Sequence, residues 1–446
     1  LLVDARPGRL LAFGGGSRTT VADFLADVAH AARALPDAGA VQNLCEDRYR
    51  FLVAFCAAAS RGQASLLPPS RAPGVVADVA AAHPDSYCLL DHGQPPTPPR
   101  AHRLVERRLD TTDAPPDATP SLPGAQRVAV GFTSGSTGRP QPNPKTWASF
   151  NASSRRNIAL LETLLDRAGA APGAVAQVVA TVPPQHMYGM ETTVLLPLLG
   201  RFAVHAGRPF FPAEVAEALA EAEAPRLLVT TPVHLRALVS AGIALPPLAG
   251  ILSATAPLPQ AMAAAAEDAF GAPVLEMFGS TETCVIAHRR TAQQADWTLY
   301  EGIDLHPQPD GVRVDAPWLA EPVVMQDVVE LLPERRFRLR GRNSDLLEIA
   351  GKRASLGDIT RRLLDLDGVV DAVALQVDDA DEAGIRRVAA LVVAPDRRAA
   401  DLLAALREHV DPVFLPRPLR CVDALPRNET GKLPRAALLA LLKAEG

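Results

Sequence analysis

Cysteine is scarce in this chain of 446 residues. There are five, Cys45, Cys56, Cys88, Cys284 and Cys421, scattered and odd in number, with no Cys-x-x-Cys spacing. That pattern argues against a disulfide framework or a cysteine-built zinc site and points to free thiols in a reducing compartment. An excess of basic charge is also missing: the formal net charge is −5, so no overall positive field draws the chain to nucleic acid or to a membrane surface. No uncharged apolar run reaches membrane-spanning length. Residues 1–6 show no basic region followed by a long apolar core, so no leader peptide is expected and the expected location is cytoplasmic. Internal repeats are absent. So is a glycine-rich loop closed by Gly-Lys-Ser/Thr, which sets aside the most familiar nucleotide-binding loop.

What is there is an ordinary globular composition, 48% hydrophobic and 21% charged, in a chain long enough for two or three domains. One stretch stands out. A strand-like run, residues 127–132, leads into Thr133-Ser134-Gly135-Ser136-Thr137-Gly138, made only of Ser, Thr and Gly, and then Arg139-Pro140. Glycines let backbone approach an anion closely, and successive N–H groups can curl around phosphate oxygens. Hydroxyls add donors, each worth about 1.5–3 kcal/mol against a charged group. The same composition also suits a flexible linker.

The rest of the chain supplies the frame. Thr20-Val21-Ala22-Asp23 reads as a capping box opening a helix, and Gly14-Gly15-Gly16 before it reads as a loop entering that helix. A helix is predicted over 48–60 and a strand over 64–67, whereas 91–123, rich in Pro, Asp and Thr, reads as surface connection. From 126 to 278, apolar strand candidates (175–182, 227–231, 250–254, 273–278) alternate with helices (147–168, 212–222, 233–240, 260–270). Such alternation predicts a largely parallel sheet, with ligands at the carboxyl ends of its strands. Four loops fall there: the Ser/Thr/Gly run, Thr230-Thr231-Pro232, Ser253-Ala254-Thr255-Ala256-Pro257, and Phe278-Gly279-Ser280-Thr281-Glu282. After Cys284 short antiparallel pieces follow (312–314, 323–331, 336–340), then a compact α/β tail. The predicted class is α/β: a large N-terminal domain (1–342) of helix-covered, largely parallel sheets with a small β-rich subdomain, and a small mobile α/β C-terminal domain (343–446).

Four motifs stand in fixed order: Thr133 to Gly138; Phe278 to Glu282; Asp327 ahead of Gly341-Arg342; and Pro426-Arg427-Asn428-Glu429-Thr430-Gly431-Lys432. Together they resemble the adenylate-forming superfamily of acyl-CoA synthetases, adenylation domains and luciferases, over nearly the whole chain. The resemblance implies ATP and Mg2+ as cofactors, and a reaction in which a carboxylate attacks the α-phosphate before a thiol displaces AMP. It implies that Thr133, Ser134, Gly135, Ser136, Thr137 and Gly138 hold the β- and γ-phosphates and that Glu282 helps hold the metal. Thr281 would donate to the α-phosphate. Phe278 would pack on adenine beside Thr255, Ala256 and Pro257. Asp327 and Arg342 would meet the ribose, and Lys432 would be the catalytic cation bridging carboxylate and α-phosphate.

Two departures bear on these roles. The family's lysine after the glycine-rich loop is replaced by Gln141, so either Lys145 reaches the phosphates from a shifted loop or that contact is absent. Ser344 stands at the hinge, and Glu348 four residues on replaces another family lysine. The segment Pro183-Pro184-Gln185-His186-Met187-Tyr188-Gly189-Met190 matches the family's histidine loop, with His186 gating or orienting the acid. Tyr188 and Thr192 take positions where aryl-acid ligases contact substrate, and Met277 and Gly279 would complete a wall. The variant Gly138-to-Trp147 segment resembles ligases of aryl-polyene and xanthomonadin-type pigment pathways, which implies a 3- or 4-hydroxybenzoate loaded onto an acyl carrier protein. Free CoA as thiol acceptor, or a noncatalytic nucleotide-binding scaffold, are the alternatives. Arg336, Arg338 and Arg340 share a strand face that would suit an acidic carrier protein, or is a solvated face.

Overall fold

The computed structural model describes residues 2–3, 5–91, 100–105, 119–134, 140–309, 311–342, 346–349, 352–380, 386–408, 410–428 and 431–443. Two sheets organise the larger part. The first has eleven strands. Its middle is parallel: Leu10–Gly14, Phe202–His205, Ala176–Ala180, Arg226–Thr230, Gly250–Ser253 and Val274–Ser280 lie side by side. Every residue of Ala176–Ala180 and Gly250–Ser253 is buried, as expected of parallel strands covered on both faces. Antiparallel strands Cys284–Arg290, Trp297–Leu299, Arg336–Arg342 and Asp327–Leu332 extend one side, and Ser17–Thr20 closes the other. The second sheet has six strands, ordered Ala101–Arg103, Ser86–Leu90, Ala40–Asn43, Ala64–Leu67, Arg127–Ser134 and Pro140–Thr146; only the last is antiparallel.

Local chemistry sets the helix ends. Thr20 and Asp23 form the expected capping box at Val21–Ala34, and Arg48–Ser60 starts behind Asp47, which accepts from Arg50 N. Pro232–Ala241 begins with proline in its first turn and stops at Gly242 in the left-handed region. Trp147–Arg167, capped by Thr146, packs its apolar face into the first core through Trp147 and Phe150 and into the second through Leu161, Leu164 and Leu165.

Several features depart from the sequence reading. Gly14-Gly15-Gly16 forms the tight turn between strands Leu10–Gly14 and Ser17–Thr20 rather than a loop entering the helix; a Cβ at Gly14, φ +129°, would lie 2.8 Å from His205 Nε2. Pro140–Thr146 is a strand despite Pro140, Pro142 and Pro144, because it lies at the sheet's edge, where missing N–H donors cost least. Met190–Leu195 is a π-helical turn inside a buried helical run. Within 91–123 the short strand Ala101–Arg103 appears, while residues 92–99 and 106–118 lie outside the described residues.

The smaller C-terminal domain has its own core, around Ile359, Leu363, Ala390, Val392 and Leu402. It carries strands Asp371–Ala380, Arg386–Val393 and Leu419–Cys421 and helices Leu356–Leu364, Ala399–Leu406 and Arg435–Lys443. Ser344 lies outside the described residues, as does the side chain of Glu348. Among the described residues no helix is long and apolar enough to cross a membrane.

Candidate functional site

The carboxyl ends of both sheets face one small pocket, lined by Gly131, Phe132, Gln185, His186, Met187 and Thr281. Gly131 makes this convergence possible. A Cβ there would meet Thr281 Cγ2 at 2.6 Å and Met187 Cε at 3.3 Å. Of the run expected to hold phosphates, Thr133 and Ser134 end the strand Arg127–Ser134. Thr133 Oγ1 accepts from Asn143 Nδ2 at 3.4 Å. Gly135, Ser136, Thr137 and Gly138 lie outside the described residues.

The turn carrying Thr281 and Glu282 joins strands Val274–Ser280 and Cys284–Arg290 and is fastened from several directions. Ser280 and Thr283 exchange backbone-to-hydroxyl hydrogen bonds at 3.1 Å. Trp318 Nε1 donates to Thr283 O at 2.8 Å, Lys145 Nζ donates to Glu282 O at 2.5 Å, and Val285 N donates to Glu191 at 3.0 Å. Cys284 takes φ +62°. Thr281 and Glu282 remain half-buried. Lys145, for which the sequence left two alternatives, is 4% exposed, and its ammonium donates to a protein carbonyl beneath the turn rather than extending toward phosphates. A metal ion fits here only as a guest of a nucleotide. Among the described residues no group of three or more His, Cys, Asp or Glu could hold one, so Glu282 would be completed by phosphate and water oxygens, the habit of Mg2+.

The neighbouring loop holds Thr255 at φ +81°, a conformation β-branched residues avoid and that clusters at ligand sites. Ala256 is half-buried beside it and Pro257 is exposed. Phe278, half-buried, is backed by Trp297 and Phe337 at ring-centroid distances of 5.2 and 5.7 Å. Asp327 pairs directly with Arg342 across adjacent strands; the Arg342 side chain lies outside the described residues.

His186 stands at the residue preceding the short helix Met187–Gly189 and makes no side-chain capping hydrogen bond there. Burial, then the charges of Lys432, Arg208 and Arg71, push its imidazole down to about 3. It is therefore neutral at physiological pH, in a field of converging cations. Lys432 belongs to a braced loop. Its N–H donates to Asn428 Oδ1 at 2.9 Å, and Arg427 holds Gly431 O at 2.6 Å while forking onto Asp371 at 2.7 and 2.8 Å. A Cβ on Gly431 would sit 3.6 Å from Val233 Cγ2 and 4.0 Å from Thr255 Oγ1, so this loop rests against the larger domain. Asp371 also lies 3.9 Å from Arg236 of that domain.

Around the expected acid slot the hydroxyl of Tyr188, at 8% exposure, has no hydrogen-bond partner among the described residues. An orphaned buried hydroxyl is costly unless something completes it. Thr192 Oγ1 donates to Tyr188 O at 2.6 Å, one helical turn back, which engages its hydroxyl with the Tyr188 backbone. Met277 is a core residue at 4% exposure. Gly279 is required by the sheet, since a Cβ there would strike Cys284 O at 2.1 Å. The arginine face is half-exposed and paired within the fold, in keeping with the solvated-face alternative. Arg336 and Arg338 reach Asp296 at 3.5 and 2.5 Å, and Arg340 pairs with Glu330. Sequence reasoning missed Glu191, Arg48, Arg71 and Arg208. The one signal available was an acid and a base set in otherwise apolar runs, Glu191 in 187–199 and Arg48 ahead of 51–59.

The AMP-binding enzyme family matches residues 3–309, and the AMP-binding enzyme C-terminal domain matches residues 361–432. A 4-coumarate–CoA ligase of Rhodobacter capsulatus is 33% identical over 315 residues, covering 68% of this chain and 74% of that enzyme. One from Halorhodospira halophila is 31% identical over 323 residues, covering 68% and 73%. Among solved structures, ATP-bound MatB from Rhodopseudomonas palustris aligns with TM-score 0.80 at 18% identity, over 98% of this chain and 96% of that one. The amide bond synthetase McbA from Marinactinospora thermotolerans aligns with TM-score 0.77 at 18% identity, over 98% and 97%. The structural likenesses speak to fold alone.

Proposed function

This chain belongs to the AMP-binding enzyme family, as an ATP-dependent, AMP-forming acid–thiol ligase, and on that premise we propose that its acid is an aryl acid of the hydroxybenzoate class. In this reading a carboxylate oxygen attacks the α-phosphorus, the bond to pyrophosphate breaks, and an acyl-adenylate forms. A thiolate sulfur then attacks the acyl carbon, and AMP leaves with the electrons of the broken bond. Carboxylate and phosphate repel each other, so fixed cations and donors must be aimed where charge develops. Lys432 takes that role, Thr281 donates to the α-phosphate, and the neutral His186 imidazole orients the acid. Thr133 through Gly138 hold the distal phosphates. Phe278 and Thr255 through Pro257 flank adenine, and Asp327 with Arg342 meets the ribose. Glu282 would hold Mg2+, which when bound would supply positive charge against the phosphate oxygens. Residues 1–342 and 343–446 are the two domains of this reading.

The observation that carries it is the shared pocket: Gly131, His186 and Thr281 line one space, and the charge of Lys432 is felt at His186. For the aryl acid, the support is the unpartnered Tyr188 hydroxyl in an otherwise apolar cluster, suited to a phenolic group. The acceptor proposed is an acyl carrier protein thiol. Free CoA is the second reading, favoured by relatives named 4-coumarate–CoA ligase and by arginines 336, 338 and 340 being paired within the fold.

Carboxylate-dependent ATP–pyrophosphate exchange over a panel of acids tests this. Hydroxybenzoates are expected to outpace medium-chain fatty acids, and the reverse order removes the aryl assignment. Lys432→Ala should lower exchange by about 10²–10³; unchanged exchange removes Lys432 from its role. Thioester formation with carrier protein or with CoA then separates the two acceptors.

A further inference from the structure

Lys145 and Glu191 reach the Glu282 turn from different elements and grip it on either side of Cys284. Lys145, from the edge strand Pro140–Thr146, donates to Glu282 O at 2.5 Å. Glu191, from the π-helical turn Met190–Leu195, is 1% exposed and accepts from Val285 N at 3.0 and 3.3 Å. Glu191 is itself held by Asn157 Nδ2 at 3.0 Å, and Asn157 Oδ1 accepts from the Tyr300 hydroxyl at 2.8 Å. The peptide between these two grips is fixed by Trp318 on Thr283 O at 2.8 Å.

Burying an ammonium and a carboxyl is expensive unless their hydrogen bonds are met. Neutral contacts such as that of Trp318 would suffice merely to close a turn. What distinguishes this turn is its outward face, where Thr281 borders the pocket and the Glu282 carboxylate is half-buried. Cys284 at φ +62° is a conformation that persists only when its surroundings over-determine it, and the two grips lie on either side of it.

We propose that Lys145 and Glu191 are positioning residues for the nucleotide-bound divalent cation: they fix Glu282, the residue expected to hold it, from beneath without touching the nucleotide. The inference rests on the ligase reading of the site.

Calorimetric titration of MgATP and of AMP into wild type, Lys145→Met and Glu191→Gln tests it. Losing the charged donor in Lys145→Met should raise the MgATP Kd by about tenfold, and Glu191→Gln should raise it by about threefold, with AMP affinity changed less than about twofold in both. Equal MgATP affinity in the folded variants overturns the proposal. So does an equal weakening of AMP and MgATP, which marks a general structural effect. If Lys145→Met does not fold, the near-isosteric Glu191→Gln decides. Failure of the ligase reading looks different, because wild type itself would then bind no MgATP, and both proposals would fall together.

Discussion

Glu191 and His186, five residues apart, are displaced in their titration in opposite directions by the same cause. Burial raises the Glu191 carboxyl from 4.5 to about 7, against the hydrogen bonds of Val285 and Asn157 and the charge of Lys145. Burial lowers the His186 imidazole. Both shifts favour the neutral form, as desolvation must. The stability consequence for Glu191 has a definite sign. Between pH 4.5 and 7 the folded chain keeps a proton that the unfolded chain has released, so stability is full below 4.5 and falls as pH rises to 7. The loss is about 3 kcal/mol in total. Glu191→Gln removes this dependence. Its melting temperature relative to wild type should be higher at pH 8 than at pH 5, and a constant difference across that range would contradict the assignment.

Elements with a strong pattern were legible in the sequence. The helix over 48–60, the helix starting at Trp147, and the parallel strands near 176, 226, 250 and 274 lie where periodicity and caps put them. Others were not, for physical reasons. Pro140–Thr146 looks unfit for a strand unless its place at a sheet edge is known. In residues 187–199 every residue but Leu199, itself partly buried, is buried, so no periodicity betrays a π-helical turn. That turn is supported by Arg48, which is fully buried and donates to Thr193 Oγ1 at 2.9 Å, Ala180 O at 2.8 Å and Val182 O at 2.9 Å. One side chain thus ties the end of a central strand to the helix that follows His186. Arg48→Met strands those acceptors and should cost about 3 kcal/mol, read as a lower urea midpoint. An unchanged midpoint would mean that water replaces the guanidinium without loss.

At the scale of the whole molecule, the candidate site was legible as a set of loops but not as an arrangement. Motifs named Thr281, Glu282 and Lys432, yet no local pattern announces that Asp371 links Arg427 of its own domain to Arg236 of the other, because that contact joins residues distant in sequence. In the proposed mechanism the link bears on the first half-reaction, because it holds the Lys432 loop beside Thr255. Arg236→Ala should slow pyrophosphate exchange by about fivefold, the worth of a modest ion pair, while thioester formation from preformed acyl-adenylate holds or quickens. Equal slowing of both steps would show that Arg236 serves stability rather than domain placement. A last consequence follows from Gly131. It belongs to one sheet, its neighbour Thr281 to a turn joining two strands of the other, and a Cβ on Gly131 would lie 2.6 Å from Thr281 Cγ2. In the proposed nucleotide site the gauge between the two layers is therefore written in backbone. Any drift of one layer against the other would register as a slackened grip on the triphosphate well before the chain lost its shape.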